Sequence, residues 1–171
     1  MDDELVDIVD WNNVIIGKTT KQEAHEKGLL HRTVIAEVIN PHGKWALVRQ
    51  ASDRQDAGQF VSPVGGHIRS GESEIEALRR ETEEETGITE FTSKYIGKAI
   101  YNRRVLGRCE NHFFILFEIY TNQKPRLNHE SVEYRWFSPQ EIRTTIANNP
   151  DIIGDALHFV ARTFYPNLLI K

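Results

Sequence analysis

Three carboxylates, Glu81, Glu84 and Glu85, recur at i, i+3 and i+4 in the stretch "GGHIRSGESEIEALRRETEEETGI" from Gly65 to Ile88. On a helix turning 100° per residue this spacing sets them on one arc. Glu83 falls outside that arc and is expected to be merely solvated. Like charges so placed repel, and the C-terminal end of a helix is itself negative, so the arrangement costs stability. Two readings compete. One is an acidic face kept in water. The other is a hard-cation site, in which Mg²⁺ or Mn²⁺ turns the repulsion into coordination and bridges to substrate phosphate. A helix from about Glu72 to Thr86 would turn Ile75, Leu78 and Thr82 to the core, and Gly87 would close it in the left-handed conformation.

The spacing of the whole segment favours the cation. Gly66 is followed after five residues by Glu72, and after seven more by Arg80-Glu81, then by Glu84-Glu85 and by Gly87-Ile88. This resembles the Nudix box, the signature of the Nudix superfamily, with Thr82 in a slot where an aliphatic residue is usual. A local packing change is expected from Thr82 rather than lost chemistry. The resemblance implies a Nudix-like α/β/α sandwich, of the α+β kind, with a mixed sheet between helices. It implies that Glu81, Glu84, Glu85 and the Gly66 carbonyl hold Mg²⁺ or Mn²⁺. Arg80 would orient a metal-binding glutamate and Glu72 would brace the loop. The implied reaction is hydrolysis of a diphosphate linkage in a nucleoside diphosphate-linked or similar small molecule. Glu84 or Glu85 is favoured for a combined metal and base role, with Glu130 and Glu133 as outside candidates.

A second resemblance extends past the box. "EKGLLHR" (Glu26 to Arg32), "GGHIRSGES" and "RCENHFFILFE" are similar to segments of the isopentenyl diphosphate isomerases, Nudix relatives that bind a metal through three histidines and two glutamates. The matching positions are His25, His31, His67, Glu110 and His112, a candidate second metal cluster suited to Zn²⁺, Mn²⁺ or Fe. The isomerases use a cysteine as one half of their acid-base pair, and Gly65 stands at that position. The expectation is therefore a hydrolase in an isomerase-like branch. An isomerase and a non-catalytic, nucleotide-binding Nudix domain are the alternatives.

The rest of the chain must hold these groups in place. It has 171 residues, 39% hydrophobic and 27% charged, with a net charge of −4. Nothing in it divides one domain, 1–171, from another. Residues 1–30 form an N-terminal extension and 65–88 the box. Without a basic run, a nucleic-acid polymer is not an expected partner, and without a long apolar run neither is a membrane. A homodimer is one expected assembly. The acidic start is unlike a signal peptide, and lone Cys109 has no partner for a disulfide; both point to the cytoplasm.

"LVDIVD" and "VIIGKTT" predict a hairpin around Trp11-Asn12-Asn13. Thr20 is a candidate N-cap and Gly28 a candidate stop, though the first helix is placed mid-chain. "RTVIAEVI" and "KWALVRQ" predict a second hairpin, and a short strand is expected from Phe60 to Val64. "SKYIGKAIYNRR", "HFFILFEIYT" and "VEYRWF" predict further strands. Ser138, Pro139 and Glu141 predict a capped helix start, and "DIIGDALHFVARTF" a last amphipathic helix. Specificity is expected from the loops Ala51–Gly58, Tyr101–Gly107 and Gln123–Glu130. Arg103, Arg104 and Arg108 are candidates for meeting a substrate anion. Trp45 and Trp136 read as core.

Overall fold

A computed structural model describes residues 4–169, so both ends of the expected 1–171 domain lie outside it. The first hairpin forms as its sequence predicts: β1 (Leu5–Val9) pairs with β2 (Ile15–Thr20). The Asp10 carboxylate accepts the N–H groups of Asn12 and Val14 at 2.8 and 3.0 Å, an Asx turn that leaves the chain no need for a longer loop. Helix α1 (Lys21–Lys27) follows at once, between its Thr20 cap and left-handed Gly28. The first helix is thus early, not mid-chain; a polar two-turn segment carries little periodicity, and Thr20 and Gly28 bound it as expected.

Strand β3 (His31–Ile39) organises the sheet. It pairs antiparallel with β1, with β4 (Trp45–Gln50) and with β6 (Val64–His67), and parallel with β8 (Arg108–Tyr120). Strand β5 (Phe60–Val61) and β9 (Ser131–Phe137) flank β4, and β7 (Thr92–Val105) completes a long hairpin with β8. The segment expected as one strand, Phe60 to Val64, is therefore two, broken at Ser62-Pro63. Pro63 has no N–H for a ladder.

Helices cover both faces. Val34, Ala36 and Val38 of β3 pack with Ala77 and Leu78 of α2 (Glu74–Thr86). Ile35 and Ile39 point the other way, towards α3 (Pro139–Asn148) and α4 (Asp155–Phe164), where Ile142, Leu157 and Val160 are buried. Alternate residues of a strand face opposite sides, so one apolar run serves two cores. Trp45 is buried and Trp136 packs against the core, as expected.

Helix α2 begins two residues later than the sequence suggests. Ser73 caps it, with Glu76 completing a capping box. Glu72 is thereby left on the loop. Ile75, expected in the core, is 44% exposed. It lies in the first turn, before the stripe of Ala77, Leu78, Glu81, Thr82 and Thr86 that is buried. Thr82 fits its slot because its hydroxyl donates to the Leu78 carbonyl at 2.6 Å. The polar atom is satisfied inside the helix and the methyl remains for the core. No described helix is long and apolar enough to cross a membrane.

Candidate active site

The box folds around Arg80. Its Nε and Nη2 donate to Glu72 at 2.8 and 2.9 Å, its Nη2 also to the His67 carbonyl at 2.9 Å, and its Nη1 to Glu81 at 2.5 Å. Its guanidinium is held more firmly protonated by Glu72, although burial opposes this. The Glu72 carboxyl loses solvation here, yet the hydrogen bonds from Arg80 and from the Arg69 N–H keep it below the usual carboxylate range.

Glu81 is buried against the backbone of Gly66. A Cβ at Gly66 would lie 2.0 Å from the Glu81 carboxyl carbon, so only glycine lets strand β6 and helix α2 approach this closely. Burial pushes the Glu81 carboxyl up and outweighs the Arg80 contact. Glu85 bends round to accept the Gly65 N–H at 3.2 Å. Its enclosed carboxyl is pushed well up by burial and by the charge of Glu81. Glu84 is the exposed member, 3.4 Å from Arg80 Nη1. Glu83 is exposed, as expected.

Behind His67 lies a second cluster. His25 from α1, His31 from β3, His67 from β6 and His112 from β8 bring one nitrogen each to within 4.8 Å of one another. The parallel register sets His31 directly beside His112. His25 Nε2 stands 3.2 Å from His112 Nε2 and 3.3 Å from His67 Nε2. Burial lowers all four pKa values, to about 4 for His25 and well down for His67 and His112, where neighbouring rings lower them further; for His31 the Leu29 hydrogen bond and Glu110 oppose the shift without cancelling it. The rings are therefore neutral at pH 7, the form that ligates metals. His31 donates Nδ1–H to the Leu29 carbonyl at 2.7 Å, which points its Nε2 lone pair into the cluster; that Nε2 is buried with no hydrogen-bond partner.

Glu110 does not join the four histidines. It is clamped by Arg103 and Arg108, at 2.8 and 3.0 Å. A buried carboxylate between two guanidiniums is already compensated. Arg103 and Arg108 line the cleft that also takes in Gly65, Gly66, Glu85, Glu130 and the histidines His67 and His112. Arg104 does not line it. It is exposed, on the opposite face of β7 from Arg103, an outcome the two-residue period of a strand would have predicted. Of the two outside candidates, Glu130 lines the cleft, whereas Glu133 pairs with Arg49 and Arg135 at 2.7 and 3.1 Å. The loop residues Gln55 and Asp56, not singled out in the sequence, also face the cleft; their only signal was their place in a polar loop.

The NUDIX domain model matches residues 29–157. The chain is 30% identical over 156 residues to "Isopentenyl-diphosphate Delta-isomerase 2" of Photorhabdus laumondii, covering 88% of this chain and 86% of that one. It is 31% identical over 142 residues to an uncharacterized Nudix hydrolase of Yersinia pestis, covering 81% and 75%. The crystal structure of DR0079 from Deinococcus radiodurans superposes with a TM-score of 0.72 at 22% identity, over 95% of this chain and 99% of that one. That likeness bears on the fold alone. With the box geometry, these matches make the chain a Nudix hydrolase of the branch that resembles the isopentenyl diphosphate isomerases.

Proposed function

We propose that this enzyme hydrolyses a diphosphate linkage in a nucleoside diphosphate-linked or similar small molecule, using Mg²⁺ or Mn²⁺ held by Glu81, Glu84, Glu85 and the Gly66 carbonyl. The observation that carries this reading is the approach of Gly66 to Glu81, too close for any side chain between them. It sets the Glu81 carboxylate against the Gly66 backbone, beside the cleft that Gly66 and Glu85 line. Glu81 and Glu85 fit a hard cation because burial opposes the charge of both carboxylates, more than the Arg80 contact offsets at Glu81, and a dication would relieve that cost. A dication held there would offset the charge of the diphosphate and make an attacking water more acidic. The residues of the chain supply the rest. Glu72 fixes Arg80, and Arg80 fixes Glu81. Glu85 or Glu84 takes the proton of the water on a carboxylate oxygen. Glu130 is retained as a further candidate base on the cleft wall.

The four histidines support a second, transition-metal centre. Neutral imidazoles with an unpartnered Nε2 suit Zn²⁺, Mn²⁺ or Fe. The relatives that carry an isomerase name favour isopentenyl diphosphate isomerisation as the alternative activity. Gly65 weighs against it, having no side chain to donate a proton. The deciding experiment is a panel of nucleoside diphosphate sugars, dinucleoside polyphosphates, coenzyme derivatives and prenyl diphosphates, run with Mg²⁺ and with Mn²⁺. Metal-dependent cleavage of the P–O–P bridge into its two phosphate-bearing products, lost in Glu85→Gln, is the expected result. Turnover of the five-carbon diphosphate by isomerisation, with no hydrolysis of any member, overturns the ranking.

A further inference from the structure

Four charges in the cleft have no part in the steps above: Arg103, Arg108, Glu110 and Asp56. Arg103 Nε is spent on Glu110. Its outer edge, Nη1 and Nη2, is taken by the two Asp56 oxygens at 2.8 and 2.9 Å. This two-pronged edge is the geometry with which arginine grips a phosphate. Arg108 Nη2 is shared between Glu110 and the Gln55 side-chain oxygen, the latter at 2.6 Å.

The two acids and two guanidiniums balance. The Arg103 and Asp56 side chains are only 13% and 12% exposed, so water screens them poorly. A phosphate that enters must therefore displace an anion. Glu110 sits on β8, is 3% exposed and is tied to both arginines. Asp56 sits on the loop between β4 and β5, with φ at 57°, a left-handed conformation that a non-glycine residue holds only where its surroundings fix it.

We infer that Arg103 and Arg108 form an anion subsite for a phosphate group, and that Asp56 is its resident counter-ion, displaced when the phosphate binds. The choice of phosphate rests on the diphosphate reading above. The loop from Ala51 to Gly58 is then closed by Asp56 in the free enzyme and released by substrate. Apparent affinity is then scaled down to the fraction of the loop that is open.

Inorganic pyrophosphate tests this in metal-free buffer containing EDTA, where the glutamate site is silent. Titrated by calorimetry, Asp56→Asn binds it roughly tenfold more tightly than the wild type, as expected for a strap closed most of the time. Asp56→Glu, which keeps the charge, gives no such gain. Arg103→Gln added to Asp56→Asn removes it. Binding by Asp56→Asn that is no tighter than the wild type, or absent from both, overturns the inference. Hydrogen exchange on the wild type is a second arm. The Gly58 and Gln59 amides donate to Gln50 and Asp56, and both exchange faster with saturating pyrophosphate. Unchanged exchange overturns the proposal even if Asp56→Asn does not fold. Failure of the hydrolase reading shows separately, as absent metal-dependent turnover.

Discussion

Arg80 and Glu72 meet through two parallel hydrogen bonds, Nε to Oε1 at 2.8 Å and Nη2 to Oε2 at 2.9 Å, and the same arginine reaches Glu81. The pair ties the box loop to the Glu81 face of α2. Lysine cannot make the fork. Arg80→Lys is expected to lower kcat with Mg²⁺ by roughly 10- to 100-fold, the usual cost of losing a group that orients a ligand. A loss of thermal stability with unchanged kcat would instead mark the arginine as purely structural.

Glu85 and Glu83 are two residues apart and differ in exposure. Glu85→Gln is expected to lower kcat by about 10²- to 10⁴-fold, the range for a lost base or ligand. Glu83→Gln leaves it within a factor of about two, as for a solvated surface group. Mg²⁺ or Mn²⁺ is expected to raise the melting temperature of the wild type, as a ligand held only by the folded state would, and to raise it less in Glu85→Gln. Equal shifts in the two proteins count against the ligand role.

Substitution at Gly66 tests the close approach directly. Gly66→Ala puts a methyl group 2.0 Å from the Glu81 carboxyl carbon, so one of them moves. Turnover is expected to fall by at least about tenfold, with Mn²⁺ affinity falling alongside it. Wild-type Mn²⁺ affinity in this variant counts against a Gly66–Glu81 metal site.

The histidine cluster is tested by metal content. Zn²⁺ is expected to bind the wild type with a stoichiometry near one, and His31→Asn to weaken it by more than about tenfold. His42 and His129 are exposed, so changing them leaves zinc binding as it was. Isothermal titration separates the cases.

Stability should also fall with rising pH on account of Glu37, which has no exposed surface. Its Oε1 accepts the Ser62 hydroxyl at 2.5 Å, while Oε2 is buried without a partner. Glu118 stands beside it in register on β8, accepting from Tyr165 at 3.0 Å and from Tyr120. Burial pushes the Glu37 carboxyl up to about 7; the Ser62 hydrogen bond opposes the shift and Glu118 adds to it. A carboxyl raised on folding favours the folded state most below its unfolded value near 4.5, and that advantage is lost as pH rises through about 7. Chemical denaturation of the wild type is expected to show roughly 2–3 kcal/mol less stability at pH 8 than at pH 5 from this group. Glu37→Gln flattens the difference. An identical slope in the variant would exclude Glu37 as its source.

The sequence carried local chemistry well and assembly poorly. Caps at Thr20 and Ser138 and the box spacing are decided within a few residues and are legible in the sequence; the Ser73 cap and the Asp10 turn are equally local, but a helix begun at Glu72 passes over the first and the hairpin residues alone do not single out the second. The meeting of His31 and His112 depends on a parallel register between strands far apart in the chain, which no local pattern encodes; resemblance alone suggested it. Glu110 was grouped with the histidines by resemblance to the isomerases, and nothing local marks Arg103 and Arg108 as its partners. Ile75 kept the helical period but lies before the buried stripe begins.

Strand β6 is four residues long, Val64 to His67, and both clusters hang from it. Gly66 pairs with Val34 and faces α2; His67 pairs with Thr33 and belongs with His31. Neighbouring residues of one strand thus serve opposite faces of the sheet. A single-residue insertion or deletion here would turn each to the wrong side, dismantling both clusters in one event. The length of this short segment is consequently tied to two clusters at once, whereas that of the Ala51–Gly58 loop is tied to neither.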